Sequence, residues 1–137
     1  MSAEYFLDTN VLVYAFDPEN PGKQARAREL MADEAPWAIS WQVVQEFCSV
    51  ALHRFERPLD QPYLSDLLEL LLVPHCAVYP TPSIWEAALK IRELTRYRFY
   101  DSLVVASALE SGAPVLYSED LQHERGIGPL RILNPFR

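Results

Sequence analysis

Apolar and polar positions alternate along this chain between two periods. Tyr5-Phe6-Leu7 is a short apolar run closed by Asp8, and Thr9 to Phe16 continues with helical spacing, which predicts strand, turn, helix. Asp17-Pro18-Glu19-Asn20-Pro21-Gly22 is dense in turn residues, and Lys23 to Asp33 then sets Ala27, Leu30 and Met31 on one helical stripe. Pro36 to Ser40 suits a strand. From Trp41 to about Phe55, the residues Val44, Phe47, Cys48, Ala51 and Phe55 recur every three or four positions, predicting an amphipathic helix. Pro62 to Leu72 predicts another helix, Ala77-Val78-Tyr79 a strand, and Thr81-Pro82 opens a capped helix running to Tyr97. Asp101 to Glu110 is apolar almost all round, so that helix should be buried, and Val115 to Ser118 and Arg131 to Leu133 read as the last strands. Short strands alternating with longer helices predict an α/β fold around an open, mostly parallel sheet.

Composition narrows this picture. The 137 residues, half of them hydrophobic, suit one domain over 1–137, long enough to bury a core without disulfides or structural metal. Cys48 and Cys76 both fall in apolar patterns and read as reduced packing residues. The start, Met1-Ser2-Ala3-Glu4, has no basic segment followed by an apolar one, and no apolar run is long enough to span a membrane, so a cytoplasmic location is expected, with no membrane partner. A net charge of −7 argues against a protein that holds nucleic acid through a broad cationic face. It leaves open nucleic acid as a substrate, if divalent metals sit between the two sets of negative charge.

Ligands of open α/β sheets bind beyond the carboxyl ends of the strands, so polar residues there are the informative ones. Asp8 ends the first strand, Ser118-Glu119-Asp120 follow the strand at 115–117, and Asp101 opens the buried helix leading into it. Asp8 also suits a simple helix N-cap, and Asp120 an ordinary turn. Glu46, one turn into the helix after Ser40, projects away from its apolar stripe and is a solvated glutamate unless its position brings it to the same edge. Carboxylates converging without lysines repel one another unless protonated or bound to hard cations, and oxygen-only clusters select magnesium or manganese over zinc. His53, His75 and His123 are far apart, are not at zinc spacing with the cysteines and flank no activated serine.

Phe6-Leu7-Asp8-Thr9-Asn10-Val11-Leu12, Gln45-Glu46-Phe47, Tyr100-Asp101-Ser102-Leu103-Val104-Val105-Ala106 and Leu116-Tyr117-Ser118-Glu119-Asp120-Leu121 resemble, in order, the four acidic motifs of PIN-domain ribonucleases. The resemblance covers essentially the whole chain, and the compact form is similar to the VapC-type toxins of toxin–antitoxin pairs. It implies a three-layer fold with a central parallel five-stranded sheet flanked by helices. It further implies a Mg2+- or Mn2+-dependent endoribonuclease acting on RNA, a small antitoxin that blocks the pocket, and a homodimer. Carried over by motif, Asp8, Glu46, Asp101 and Asp120 are the catalytic and metal-binding carboxylates, supported by Thr9, Asn10 and Ser118. Glu119 beside Asp120 leaves open which of the two faces the metal, and Asp120 is favoured because it takes the motif's last place.

Arg96, Arg98 and Tyr100, with Arg92, Tyr97 and Phe99, alternate cations with rings just before Asp101 and are candidates for binding RNA phosphates and bases, although a solvated helix end with aromatic packing is the simpler reading. Lys23, Arg26 and Arg28 form a second basic patch, and Trp41, Trp85 or the helix from Tyr63 to Leu72 offer apolar contacts for partners. Three other readings compete. A haloacid-dehalogenase-type phosphatase needs an acid where Asn10 stands. A receiver domain needs paired acids at the first strand and a late lysine. The third is a non-catalytic PIN-type RNA- or protein-binding module.

Overall fold

Tyr5–Leu7 forms strand β1, and all three residues are buried, as expected of a strand covered on both faces. The computed structural model describes residues 3–32 and 36–137. After β1 come α1 (Thr9–Ala15), α2 (Pro21–Ala32), β2 (Trp37–Ser40), α3 (Trp41–His53) and α4 (Gln61–Leu67). The chain continues through a π-helical turn at Leu68–Leu72, a single turn α5 (Val73–His75), β3 (Cys76–Val78), α6 (Pro82–Thr95) and α7 (Phe99–Ser111). It ends with β4 (Val115–Tyr117), β5 (Gly126–Ile127) and β6 (Leu130–Leu133). The expected end of the second helix at Asp33 lies outside the described residues, as do Met1 and Ser2.

The sheet order is β3-β2-β1-β4-β6-β5, parallel from β3 to β6, with β5 antiparallel on β6. The five expected parallel strands are present, and β5 is an added edge. From β1 the chain moves outward through β2 to β3, then returns to the other side of β1 to lay down β4. Right-handed crossovers with opposite directions of travel place α1–α3 on one face and α7 on the other. The packing agrees, since α1 meets α2 and α3, whereas α6 lies along α7, which covers β2, β3 and β4. Phe6, Leu7, Ile39, Leu116 and Ile132 from the strands join Phe47 of α3 and Val105 of α7 in the buried core.

Local chemistry sets the boundaries. Ser40 caps α3 by accepting the Val43 N–H (3.4 Å), and Thr81 caps α6 by accepting that of Ile84 (3.4 Å). Helix α6 stops at Thr95, whose hydroxyl bonds back to the Ile91 carbonyl (2.8 Å), and Arg96 follows in the left-handed region (φ 67°). Helix α7 begins at Phe99, two residues before the expected Asp101, with Arg98 at its N-cap position. Cys48 and Cys76 are free and half-buried. Trp41 is half-buried, whereas Trp85, Tyr63 and Leu70 are exposed. Among the described residues no helix is long and apolar enough to cross a membrane.

Candidate active site

β1 and β4 are neighbours whose onward connections run in opposite directions, so the strand order reverses between their carboxyl ends. Such a reversal opens a crevice in any parallel α/β sheet. Asp8 follows β1 at this point and Ser118, Glu119 and Asp120 follow β4. Helix α3 leaves β2 at the same edge, carrying Glu46 in its second turn. Helix α7 runs back toward the start of β4, so its first turn, with Asp101, also lies at this edge. Four distant segments therefore bring carboxylates to this edge: Glu46, Glu119 and Asp120 line the crevice, Asp8 is buried, and Asp101 lies within electrostatic reach of Asp120 and Glu46.

Hydrogen bonds hold the group in register. Asp8 is buried and caps α1: its Oδ1 accepts the Thr9 N–H (2.7 Å) and its Oδ2 accepts the Ser118 hydroxyl (2.7 Å) and the Asn10 amide (3.3 Å). Asn10 Nδ2 also donates to Asp120 Oδ2 (3.1 Å), linking two carboxylates, while its Oδ1 accepts the Glu119 N–H (3.2 Å). The Thr9 hydroxyl donates to Glu46 Oε2 (2.9 Å), and Gln42 Nε2 donates to Glu46 Oε1 (2.9 Å) and to the Tyr100 carbonyl (3.2 Å). Gln42 was not singled out from the sequence; a glutamine one helical turn before Glu46 carries no signal of its own. Its buried Oε1 has no hydrogen-bond donor among the described residues.

Electrostatics reflect the crowding. Burial pushes the Asp8 carboxyl up from an ordinary 3.8 to about 6; the bonds from Ser118 and Thr9 pull it down, and the charges of Glu46 and Asp120 add to the rise. Asp101 is raised by burial and by Asp120, an effect that Arg98 opposes and Glu46 reinforces. Glu119 behaves differently. Burial raises it, but hydrogen bonds from Lys23 and Tyr14 outweigh this and hold it below its ordinary value. Tyr14 donates to Glu119 Oε1 (2.7 Å) and Lys23 to Oε2 (2.5 Å), so this carboxylate is already neutralised.

A cleft of about 610 Å³ opens over this arrangement, lined among others by Thr9, Asn10, Glu46 and Asp120. The donor set of carboxylate, hydroxyl and amide oxygens, without nitrogen or sulfur, fits a hard divalent cation such as Mg2+ or Mn2+. Among the described residues, no three carboxylate, imidazole or thiol groups converge as a ready-made cage.

The other sequence candidates divide. Arg98 lies within electrostatic reach of Asp101. Arg96 is exposed at the α6 terminus, and Tyr100 is exposed with its ring edge-on to Phe99 (5.7 Å); neither lines the cleft. In the expected basic patch on α2 each cation has an internal partner: Lys23 is paired with Glu119, Arg26 Nε donates to the Pro135 carbonyl (3.1 Å) and Nε of the exposed Arg28 to that of Ala15 (2.8 Å). Arg54, which the sequence reading missed, lines the cleft.

Comparison with known proteins identifies the fold and the family. A toxin–antitoxin complex from Klebsiella pneumoniae superimposes with a TM-score of 0.68 at 18% identity, over 96% of this chain and 97% of the other. VapBC-1 from Haemophilus influenzae gives 0.65 at 18% identity, over 97% and 98%. VapC20 from Mycobacterium tuberculosis, described as a sarcin–ricin-loop-cleaving toxin, gives 0.63 at 20% identity, over 85% and 89%. At these identities the likeness is one of fold. Among curated proteins, none matches the chain by sequence. The PIN domain family profile matches residues 5–126, from the first residue of β1 to the first of β5 and so across every segment that feeds the crevice; the chain belongs to the PIN domain family.

Proposed function

We propose that this PIN domain is a Mg2+- or Mn2+-dependent endoribonuclease, the toxin of a cytoplasmic toxin–antitoxin pair, active as a homodimer and silenced by a small antitoxin. The observation that carries this reading is the gathering of Asp8, Glu46, Asp101 and Asp120 at the strand-order reversal, with Asp8 and Asp101 raised by burial and by neighbouring carboxylates. The solved toxin–antitoxin complexes of the same fold support the toxin and antitoxin roles.

In this reading the four carboxylates hold the cation, and Thr9, Asn10 and Ser118 orient them. A divalent cation bound there supplies activation of water and offsets the charge of the phosphodiester. Ser118 and the Thr9 N–H fix Asp8, Asn10 ties Asp8 to Asp120, and Thr9 with Gln42 sets the rotamer of Glu46. In this reading Arg98, whose charge reaches Asp101, contacts the RNA strand, and Arg96 and Tyr100, outside the cleft, meet it farther along the same segment. Hydrolysis forms a bond from water oxygen to phosphorus and breaks the bond to the 3′ oxygen, leaving a 5′ phosphate and a 3′ hydroxyl.

One observation favours the alternative, a non-catalytic RNA- or protein-binding module: no three ligating groups are already closed among the described residues. Cleavage of end-labelled structured RNA separates the two. The nuclease reading expects cuts in Mn2+ or Mg2+ that vanish with chelator and in Asp101→Asn. Identical traces for wild type and variant under all three conditions would favour the module.

A further inference from the structure

Arg54 stands just beyond the last turn of α3, where its backbone N–H bonds to the Val50 carbonyl (2.8 Å), and its exposed side chain lines the cleft that holds Glu46 and Asp120. The other charged side chains lining this cleft are carboxylates, and each already has a donor. Asp17 accepts the Glu19 N–H (3.0 Å), Glu46 accepts from Thr9 and Gln42, Glu119 from Lys23 and Tyr14, and Asp120 from Asn10. Among the described residues no carboxylate or carbonyl engages the Arg54 guanidinium. On α2, Lys23 pairs with Glu119, Arg26 donates to the Pro135 carbonyl and Arg28 donates through Nε to that of Ala15, and none of the three lines the cleft. Arg54 is thus a cation available to an incoming anion in an otherwise acidic cleft, and its planar fork of donors matches a phosphate. Eight residues separate it from Glu46, about 12 Å of helical rise, so the two do not serve the same phosphate.

We propose that Arg54 binds a non-scissile backbone phosphate of single-stranded RNA lying in the cleft. This rests on the nuclease reading and adds a strand direction to it: from the carboxylates along α3 toward its carboxyl end. The contact contributes to affinity and to the salt dependence of binding, and leaves the cation site untouched.

The test compares wild type, Arg54→Gln and Arg54→Lys in steady-state cleavage of a single-stranded RNA oligonucleotide across a salt series, with Mn2+ binding measured separately by calorimetry. Arg54→Gln is expected to raise KM about fivefold or more with kcat within about twofold. Loss of one phosphate contact should also flatten the slope of log affinity against log salt by about 0.7. Arg54→Lys should keep most of the slope, and Mn2+ affinity should match wild type in both variants. An unchanged KM and slope in Arg54→Gln would overturn the proposal, and so would a loss of Mn2+ affinity, which would make the residue a support of the carboxylates. If the wild type neither binds nor cleaves RNA, the nuclease reading itself falls and this proposal with it; intact wild-type cleavage with an unresponsive variant removes only the role of Arg54.

Discussion

Asp8 is ionised at neutral pH against its surroundings. Its carboxyl is raised from 3.8 to about 6, so between these values the folded chain binds more protons than the unfolded one. The protonated form therefore contributes stability that is fully present below pH 3.8 and lost as pH rises through about 6, on the order of 3 kcal/mol. Asp8→Asn keeps a good N-cap and removes the charge, so metal-free variant protein should be more stable than wild type at pH 8 and nearly equal near pH 4. Urea unfolding in chelator at the two pH values checks this. Ser118→Ala removes the donor to Asp8 and the acceptor of the Asp120 N–H (3.2 Å), and should cost about 1–3 kcal/mol in the same assay at pH 8. The neighbourhood of Asp8, Asp101 and Asp120 was legible in the sequence because each lies near an element junction, whereas Glu46, in the second turn of α3, was brought in by the strand that precedes its helix. The choice between Glu119 and Asp120 was not legible there. It depends on Lys23 and Tyr14, which are 96 and 105 residues away in the chain and claim the Glu119 carboxylate.

Most elements declared themselves through caps and apolar period. Thr81 caps its helix as expected, and Ser40, read from the sequence only as the end of a strand, accepts the Val43 N–H and caps α3 as well. Ser40→Ala should destabilise by about 1 kcal/mol, measured by chemical denaturation, because it loosens the first turn of the helix that carries Glu46. Gly112 closes α7 at φ 80°, and Gly112→Ala should cost about 1 kcal/mol through strain in the left-handed region, read in the same way. Other features left no local trace. The π-helical turn at Leu68–Leu72 has the same apolar spacing as the helix before it, since a change of hydrogen-bond partner does not alter which residues are apolar. Strand β5 is two residues long, too short for a period of two to register, and exists because β6 offers it an edge. Arg98 occupies the N-cap position of α7 without a side-chain bond, so no capping residue marked the true start before Asp101.

At the scale of the molecule, α/β class and parallel pairing followed from alternating elements, but the strand order did not, because chain direction after each crossover is decided by packing between distant segments. That order sets the crevice, by placing the ends of β1 and β4 side by side. A net charge of −7, with part of it gathered and partly buried at one edge, makes the cation-free chain strained by its own charge. A cation that binds only the folded state adds about 2.7 kcal/mol at a hundredfold excess over its dissociation constant, so Mn2+ should raise the melting temperature of wild type and do little for Asp101→Asn. The central claim, that Asp8, Glu46, Asp101 and Asp120 make one hard-cation site from which Glu119 is excluded, is tested most directly by calorimetric Mn2+ titration. The variants to compare with wild type are Asp8→Asn, Glu46→Gln, Asp101→Asn, Asp120→Asn and Glu119→Gln. Saturable binding weakened about tenfold or more by each of the first four and little changed by Glu119→Gln is the predicted result; no binding to wild type, or a Glu119→Gln loss equal to that of Asp120→Asn, would contradict it.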